Sequence, residues 1–415
     1  MNIKIVKIAL NNVIKQKRRS MFNALTFAAN AFAIIFLLGQ VTGMYEATFD
    51  RVVEIETGHF KIYNAEYEKD KDRMPLEHNI RDAEAVIDEI SKLPFFVSAA
   101  PRIAKTAEIS DMKRKTGVLV VGIDMRAELE TMKIFDRMDE SQYLSAGAGG
   151  ELLMGARLAR LMEAEPGIPF LIYGRTMLKA NNLSDLTLKG IYSIGFEKME
   201  KSVVYVPIGF ARGFFDMEGA ATEIIVRLEE RKRTDVVKPL LDELLAEKYP
   251  GLTAKAWYEE AAALVAGVQM DYIFYGVFLA ILLFLAVFII MNTLTITVFE
   301  RTAEIGTLRA IGLEKNQIRW MFMFEGVFLA FGGAIIGGLL AIPAAYYMNV
   351  YGISIPEEMY DQMPFPIESM KSINTVFDWL LTTAICVVTG AIGSIIPANR
   401  AAGIKVVDAL KKGVR

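Results

Sequence analysis

The sequence predicts an α-helical membrane protein with four transmembrane helices and an α+β extracytoplasmic domain. Hydrophobic residues make up 53% of the 415 residues, which is more than soluble domains usually contain. Four stretches stay apolar over the length of about 20 residues that a helix needs to cross a bilayer. Residues 46–268, between the first two stretches, instead carry the strand and helix patterns of a water-exposed domain.

The four apolar stretches are assigned as spans TM1 to TM4 at residues 21–45, 272–298, 321–350 and 376–397. The first is too long, and too rich in Phe and Asn, for a removed signal peptide, and it lacks a cleavage site of small residues. We therefore expect this stretch to be retained as an anchor that starts the export of the region after it.

Positive charge near the spans sets the predicted orientation. Residues 1–20, an amphipathic segment, contain six Lys and Arg and no acidic residue. The tail at 398–415 and the loop at 299–319 are basic as well. Because basic flanks stay on the cytoplasmic side, both termini and this loop are predicted to be cytoplasmic, and residues 46–268 are predicted to be exported.

The composition of the exported region excludes several kinds of partner. Residues 46–268 carry 30 Lys and Arg against 38 Asp and Glu, so no basic patch for nucleic acid is expected. The chain has one cysteine, Cys386, and two histidines, His59 and His78. These are too few for a disulfide framework or a metal site based on Cys and His, and we predict no bound metal.

Two similar patterns flank the exported region and predict a pair of βαβ units. The first runs from a strand at 59–63 through a helix at 81–93 to a strand at 96–109. The second repeats this order with a strand, a helix and a strand at 222–228, 235–249 and 252–257. Such pairs form split βαβ sandwiches, so residues 46–111 and 221–268 are predicted to form a membrane-proximal, porter-like subdomain.

The residues between these units, 112–220, are predicted to form a distal and mostly β subdomain. Its strands are expected at 117–123, 170–173, 186–194 and 202–207, with one helix at 151–162. The expectation rests on alternating apolar residues separated by turn residues.

Nothing in the sequence predicts catalysis. No G-x-x-x-x-G-K-[ST] loop for nucleotide phosphates occurs, and neither histidine lies near a G-x-S-x-G turn. Polar residues near the span ends are candidates for function, although solvation at the membrane surface or a hydrogen bond between helices explains them better than a proton relay; they are Asp271, Asn292, Glu325 and Asp378.

The charged segment "FERTAEIGTLRAIGLEKNQI" at 299–318 follows the second span. Taken as a helix from Glu300, it places Ile305, Leu308 and Ile311 within a sector of about 120° at about 100° per residue. Gly306 and Ala310 lie on the other side. One face is predicted to pack on the spans or the membrane, and the small-residue face to meet a cytoplasmic partner. A solvated amphipathic turn is the alternative.

The same segment carries a family motif. "ERTAEIGTLRAIG" resembles the E-R-x-x-E-I-G-x-x-R-A-x-G motif in the cytoplasmic loop of FtsX/MacB-type (type VII) ABC transporter permeases, and "IIPANRAAGIKVVDALK" is similar to the end of these proteins except that Val406 or Val407 replaces a proline. In that family the loop is a coupling helix seated on a separate ATPase. The residues that match the motif are Glu300, Arg301, Glu304, Gly306, Arg309, Ala310 and Gly312.

Two further stretches, "GHFKIYNAEY" and "GELLMGARLARLM", resemble lipoprotein-releasing (Lol-type) permeases. The resemblance implies a non-catalytic subunit of the bacterial inner membrane that works with a second permease, identical or paralogous, and with two copies of an ATPase. ATP and Mg would bind to the ATPase, and no cofactor to this chain. The cargo would be a lipoprotein in a cavity between first and second spans, lined by Leu37, Val41, Met44, Phe274 and Phe278.

Two other functions remain open at this point. One is export of peptides or drugs with a periplasmic adaptor, as in MacB-like proteins. The other is FtsX-like signalling to a cell-wall hydrolase, which the large exported region disfavours. Because residues 173–186 are too few for a long hook loop, whether a periplasmic chaperone docks on this chain also stays open.

Overall fold

The computed structural model describes residues 3–15, 17–147, 149–356 and 369–406, together with Met359, Ile367 and Ala409. The chain divides into two compact units. The helical unit contains Met1–Glu46, Gly267–Ser354 and Ser369–Arg415, and the mixed unit contains Ala47–Ala266 and Ile355–Glu368. Val407, one of the two residues predicted to stand at the family's proline, lies outside the described residues.

Helices and strands alternate in the mixed unit, and long helices make up the helical unit. The helices are α1 (Ile3–Lys15), α2 (Lys17–Val52), α3 (Ala65–Lys69), α4 (Ala83–Ile90), α5 (Met125–Thr131), α6 (Ala156–Leu161), α7 (Glu197–Ser202), α8 (Ile208–Phe214), α9 (Thr234–Lys248), α10 (Trp257–Glu260), α11 (Ala262–Glu300), α12 (Thr302–Ala310), α13 (Lys315–Val350) and α14 (Val376–Gly403). The strands are β1 (Phe60–Asn64), β2 (Ile80–Arg81), β3 (Phe96–Ser110), β4 (Lys115–Ile123), β5 (Glu151–Gly155), β6 (Pro169–Arg175), β7 (Asn181–Tyr192), β8 (Val203–Pro207), β9 (Ala220–Ala221), β10 (Glu223–Leu228), β11 (Leu252–Ala256), β12 (Ile353–Ser354) and β13 (Ser369–Met370).

Four helical stretches among the described residues are long and apolar enough to cross a membrane. They are Ser20–Thr57, Ala262–Glu300, Lys315–Val350 and Val376–Gly403. Each contains one of the four stretches predicted from the sequence. The predicted fold class, four membrane helices with a mixed α/β domain, is therefore confirmed.

Glycines bring the helices of the helical unit close together. A Cβ added to Gly390 of α14 would lie 2.5 Å from Cβ of Ala330 on α13. A Cβ on Gly337 of α13 would overlap the carbonyl oxygen of Ala28 on α2. Small residues allow such close backbone approach in membranes, where packing and not the hydrophobic effect holds helices together.

One nine-stranded sheet runs through the mixed unit in the order β11-β1-β10-β3-β4-β8-β5-β7-β6. Its first four strands are the two predicted βαβ units. Strand β10 lies between β1 and β3, and β1 lies between β10 and β11, each pair being antiparallel. Helices α4 and α9 cover this part through a shared core that includes Val86, Ile224 and Leu241.

The remaining strands extend the same sheet through the long strand β3. Apolar side chains alternate between two cores, one for each face of the sheet. Val118 and Val120 of β4 belong to one core, whereas Val121 and Ile123 belong to the other. Residues 103–221 are thus built onto the βαβ pair as added strands with helices on both faces.

The prediction of a helix at 151–162 is wrong in its first half. Residues Glu151–Gly155 form strand β5, and only Ala156–Leu161 form helix α6. Leu152 and Met154 enter one core and Leu153 the other. A central strand covered on both faces has a continuous apolar run, which periodicity cannot distinguish from a buried helix.

Candidate functional site

The candidate site is the short helix α12, between the second and third candidate spans. The predicted start at Glu300 is wrong, because α11 continues to Glu300 and α12 begins at Thr302. At its end, Gly312 has φ of 108°, its N–H donates to the Arg309 carbonyl at 3.2 Å, and the Leu313 N–H donates to the Leu308 carbonyl at 3.1 Å. This is a Schellman motif, which requires a left-handed residue, and Gly312 ends the helix as predicted.

Arg301, between α11 and α12, anchors the start of the helix. It is buried, and its Nε donates to Oε2 of Glu304 at 2.8 Å. Its Nη1 donates to Oε2 of Glu325 on α13 at 3.4 Å, and its guanidinium lies 5.8 Å from the ring centroid of Phe322. Since both Arg301 and Glu325 are almost fully buried, this ion pair ties the beginning of α12 to the third span.

Two more motif residues also face their own chain. A Cβ added to Gly306 would lie 2.5 Å from Cβ of Ala409 in the tail. Arg309 donates from Nη1 to the carbonyl of Ile404 at 2.5 Å. The prediction that Gly306 belongs to an open small-residue face is therefore wrong, because the C-terminal segment of the chain already occupies that position.

Ile305 lies at the centre of the buried face of α12. It is 1% exposed and packs in a core with Ile318, Phe322 and residues of α14. Leu308 packs partly against the same core, but Ile311 is 72% exposed. The prediction that Ile311 shares the inward face is wrong, since it lies 120° from Ile305 at 100° per residue and follows the last helical turn.

The opposite face of α12 is exposed. It carries Glu304, Thr307, Ala310 and Ile311, and Glu300 at the end of α11 is exposed too. The family motif therefore divides into two sets. Arg301, Gly306 and Arg309 hold the helix to its own chain, whereas the other motif residues are exposed; these are Glu300, Glu304, Ala310 and Gly312.

The predicted cavity residues lie on α2 and α11 within the helical unit. Val41 is buried, Leu37 and Met44 are half-buried, and Phe274 and Phe278 are exposed at 69% and 50%. Tyr45, which sequence reasoning missed, donates its hydroxyl to Oδ2 of Asp271 at 2.9 Å. This bond joins α2 and α11 at one end, and the cavity itself stays a prediction.

A buried charged cluster in the mixed unit was not predicted. Arg102 of β3 pairs with Glu128, which is fully buried, and its Nη1 lies 4.0 Å from Oε1 of Glu223. Burial opposes ionisation of Glu223, but the charges of Lys61 and Arg102 outweigh burial and lower the pKa of Glu223. Periodicity gives no signal for such a cluster, because its members come from separate strands and helices.

The described residues contain no group of three or more His, Cys, Asp or Glu side chains that could hold a metal ion. The described chain thus combines four candidate spans, a large mixed α/β unit after the first span, and a short anchored helix between the second and third. Sequence comparison finds a permease domain in the helical unit. Residues 276–406, from within α11 to just past the end of α14, match the family described as FtsX-like permease C-terminal.

Three relatives show how far the similarity extends. The chain is 22% identical over 323 residues to the lipoprotein-releasing system transmembrane protein LolC of Haemophilus influenzae, covering 72% of this chain and 79% of that protein. It is 33% identical over 90 residues to the cell division protein FtsX of Bacillus anthracis, covering 21% and 30%. It is 30% identical over 123 residues to the macrolide export ATP-binding/permease protein MacB of Chlorobaculum tepidum, covering 29% and 16%.

The chain therefore contains an FtsX-like permease domain at 276–406 and is similar to members of the type VII ABC permease family, as its motif predicts. Members of this family work with cytoplasmic ABC ATPases. Permease subunits are generally non-catalytic, which agrees with the absence of catalytic motifs in the sequence.

Proposed function

We propose that this chain couples ATP hydrolysis by a separate cytoplasmic ATPase to the release of lipoproteins from the inner membrane. The observation that carries the proposal is the share of this chain that each relative matches. Similarity to the lipoprotein-releasing protein extends over 72% of this chain, whereas the matches to FtsX and MacB cover 21% and 29%. Those shorter matches fit a permease domain that all three proteins have in common.

The exposed face of α12 is the proposed contact with the ATPase. Glu304, Thr307, Ala310 and Ile311 are accessible along one side of the helix. The buried side is held by the Arg301–Glu325 pair and by the bond from Arg309 to Ile404. Pressure on the exposed face would therefore reach α13 and the segment after α14. The basic flanks of the spans support a cytoplasmic position for this helix and both termini.

An assay of lipoprotein release from proteoliposomes tests the proposal. The chain is reconstituted with its partner ATPase, its second permease and a triacylated lipoprotein, and release is measured on adding ATP. We expect release to fall at least about tenfold in Ala310→Lys, because the variant places a long charged side chain on the proposed contact surface. Ala246→Lys, at an exposed alanine of α9, is the matched control and should release normally.

The outcomes separate the parts of the proposal. ATP-driven transport of a soluble macrolide or peptide without lipoprotein release would refute the cargo. ATPase-dependent activation of a wall hydrolase with no cargo movement would favour signalling. Normal release by Ala310→Lys would refute the assignment of the α12 face while leaving the lipoprotein cargo in place.

A further inference from the structure

Helix α1 has two opposite faces, and the part of the chain that the structure describes covers only one of them. Ile5 and Ala9 are buried in a core with residues of α12, α13 and α14. Lys7, Leu10 and Ile14, spaced along the opposite side at helical intervals, are exposed. The described residues therefore bury one side of α1 and leave the other side accessible to an external partner.

The uncovered face combines apolar and positive side chains. Leu10 and Ile14, one turn apart, are 43% and 58% exposed. The exposed cations around them are Lys7, Lys15, Lys17 and Arg18. No Asp or Glu occurs in the sequence before Glu46, so no acidic side chain within residues 1–45 can neutralise these cations.

The position of α1 in the chain identifies the partner. One residue separates α1 from α2, and the first candidate span begins at Ser20. A helix that leads directly into a span lies within reach of the bilayer surface. Exposed Leu and Ile favour the interfacial layer of a bilayer, and Lys and Arg favour anionic headgroups over zwitterionic ones.

We propose that the uncovered face of α1 binds anionic phospholipid. Leu10 and Ile14 insert between the headgroups, while Lys7, Lys15, Lys17 and Arg18 contact the phosphates. Because α1 packs in the same core as Ile305 of α12, lipid on its outer face supports the packing beneath the candidate coupling helix. The proposal does not depend on which cargo the transporter moves.

A single labelled cysteine tests the contact. Cys386 is the one cysteine of the chain and is buried, so Ile14→Cys in a Cys386→Ala background carries bimane at one site. The full chain is placed in nanodiscs of phosphatidylcholine with an equal fraction of either brominated phosphatidylglycerol or brominated phosphatidylcholine. We expect brominated phosphatidylglycerol to quench at least about twofold more strongly. If Cys386→Ala does not fold, Cys386 is retained and Ile14→Cys is labelled briefly, because the buried Cys386 thiol reacts more slowly than the exposed one.

Two controls define the outcome. Bimane at Ile281→Cys, on the exposed side of α11, should be quenched equally by both lipids. Neutralising the four cations with Gln should abolish the preference at position 14, whereas neutralising four exposed lysines of the mixed unit should not; these are Lys113, Lys179, Lys198 and Lys232. If the label at position 14 is quenched equally by both lipids while the four cations are present, or is quenched by neither lipid, the proposal is overturned.

Discussion

The ion pair between Arg301 and Glu325 is the most consequential single contact at α12. Both side chains are nearly buried, and removing one member of such a pair leaves the other charge buried without that partner. We expect Arg301→Gln to lower the free energy of unfolding by about 3–5 kcal/mol. Arg301→Gln with Glu325→Gln should recover part of that loss, measured by unfolding in mixed detergent and SDS micelles. A double variant that loses as much as Arg301→Gln and Glu325→Gln together would show that the pair is not coupled.

His59 makes the stability of the mixed unit depend on pH. Its Nδ1 accepts the Leu228 N–H at 3.1 Å, and burial, helped by Arg227 and Arg231, lowers its pKa from 6.5 to about 4. The unfolded chain therefore binds more protons between these values, and stability falls as pH drops from 6.5 towards 4. The loss at this site should approach about 3 kcal/mol.

His59→Asn tests this pH dependence, because Asn keeps an acceptor for Leu228 but does not titrate. Trp257 of the mixed unit reports unfolding once Trp320 and Trp379, the other two tryptophans, are replaced by Phe. The variant should lose stability less steeply than the parent between pH 6.5 and 4. His78→Asn, at an exposed histidine, is the control. An unchanged pH slope in His59→Asn would refute the assignment.

At the scale of elements, the contact between α2 and α13 depends on glycine. A Cβ on Gly337 would overlap the Ala28 carbonyl, whereas a Cβ on Gly332 of the same helix would meet nothing within 4 Å. We expect Gly337→Ala to destabilise the helical unit by about 1–3 kcal/mol. Gly332→Ala should be neutral or stabilising, because alanine favours the helix. Unfolding in SDS micelles measures both, and equal effects would contradict the close packing.

Local patterns predicted the separate elements better than their contacts. The βαβ units and the spans follow from alternation and from length, which are properties of one segment at a time. Helix α12 was recognised, but the inward positions of Gly306 and Arg309 depend on Ala409 and Ile404, about a hundred residues along the chain. Strand β5 was missed because burial on both faces removes the alternation that identifies a strand.

For the whole molecule, hydropathy predicted a membrane protein with four spans, and the motif predicted the FtsX-like permease domain. The way in which separate segments combine into one core could not be predicted from the sequence. Val52 and Ile55, at the end of the first candidate span, are fully buried in the mixed unit with Phe135 and Tyr205. The chain passes from the helical unit to the mixed unit between Glu46 and Ala47, and no local pattern shows that these two side chains complete a core formed mostly by later strands.

The pairing of Arg102 with Glu223 on adjacent strands also bears on how this protein can change during evolution. The chain leaves the βαβ pair after Arg102 and returns at Glu223, at neighbouring positions of one sheet. A recombined segment with adjoining ends would fit there without altering the strand order β11-β1-β10-β3. Genetic exchange at this point would replace the added strands and leave the βαβ pair and the helical unit as they are.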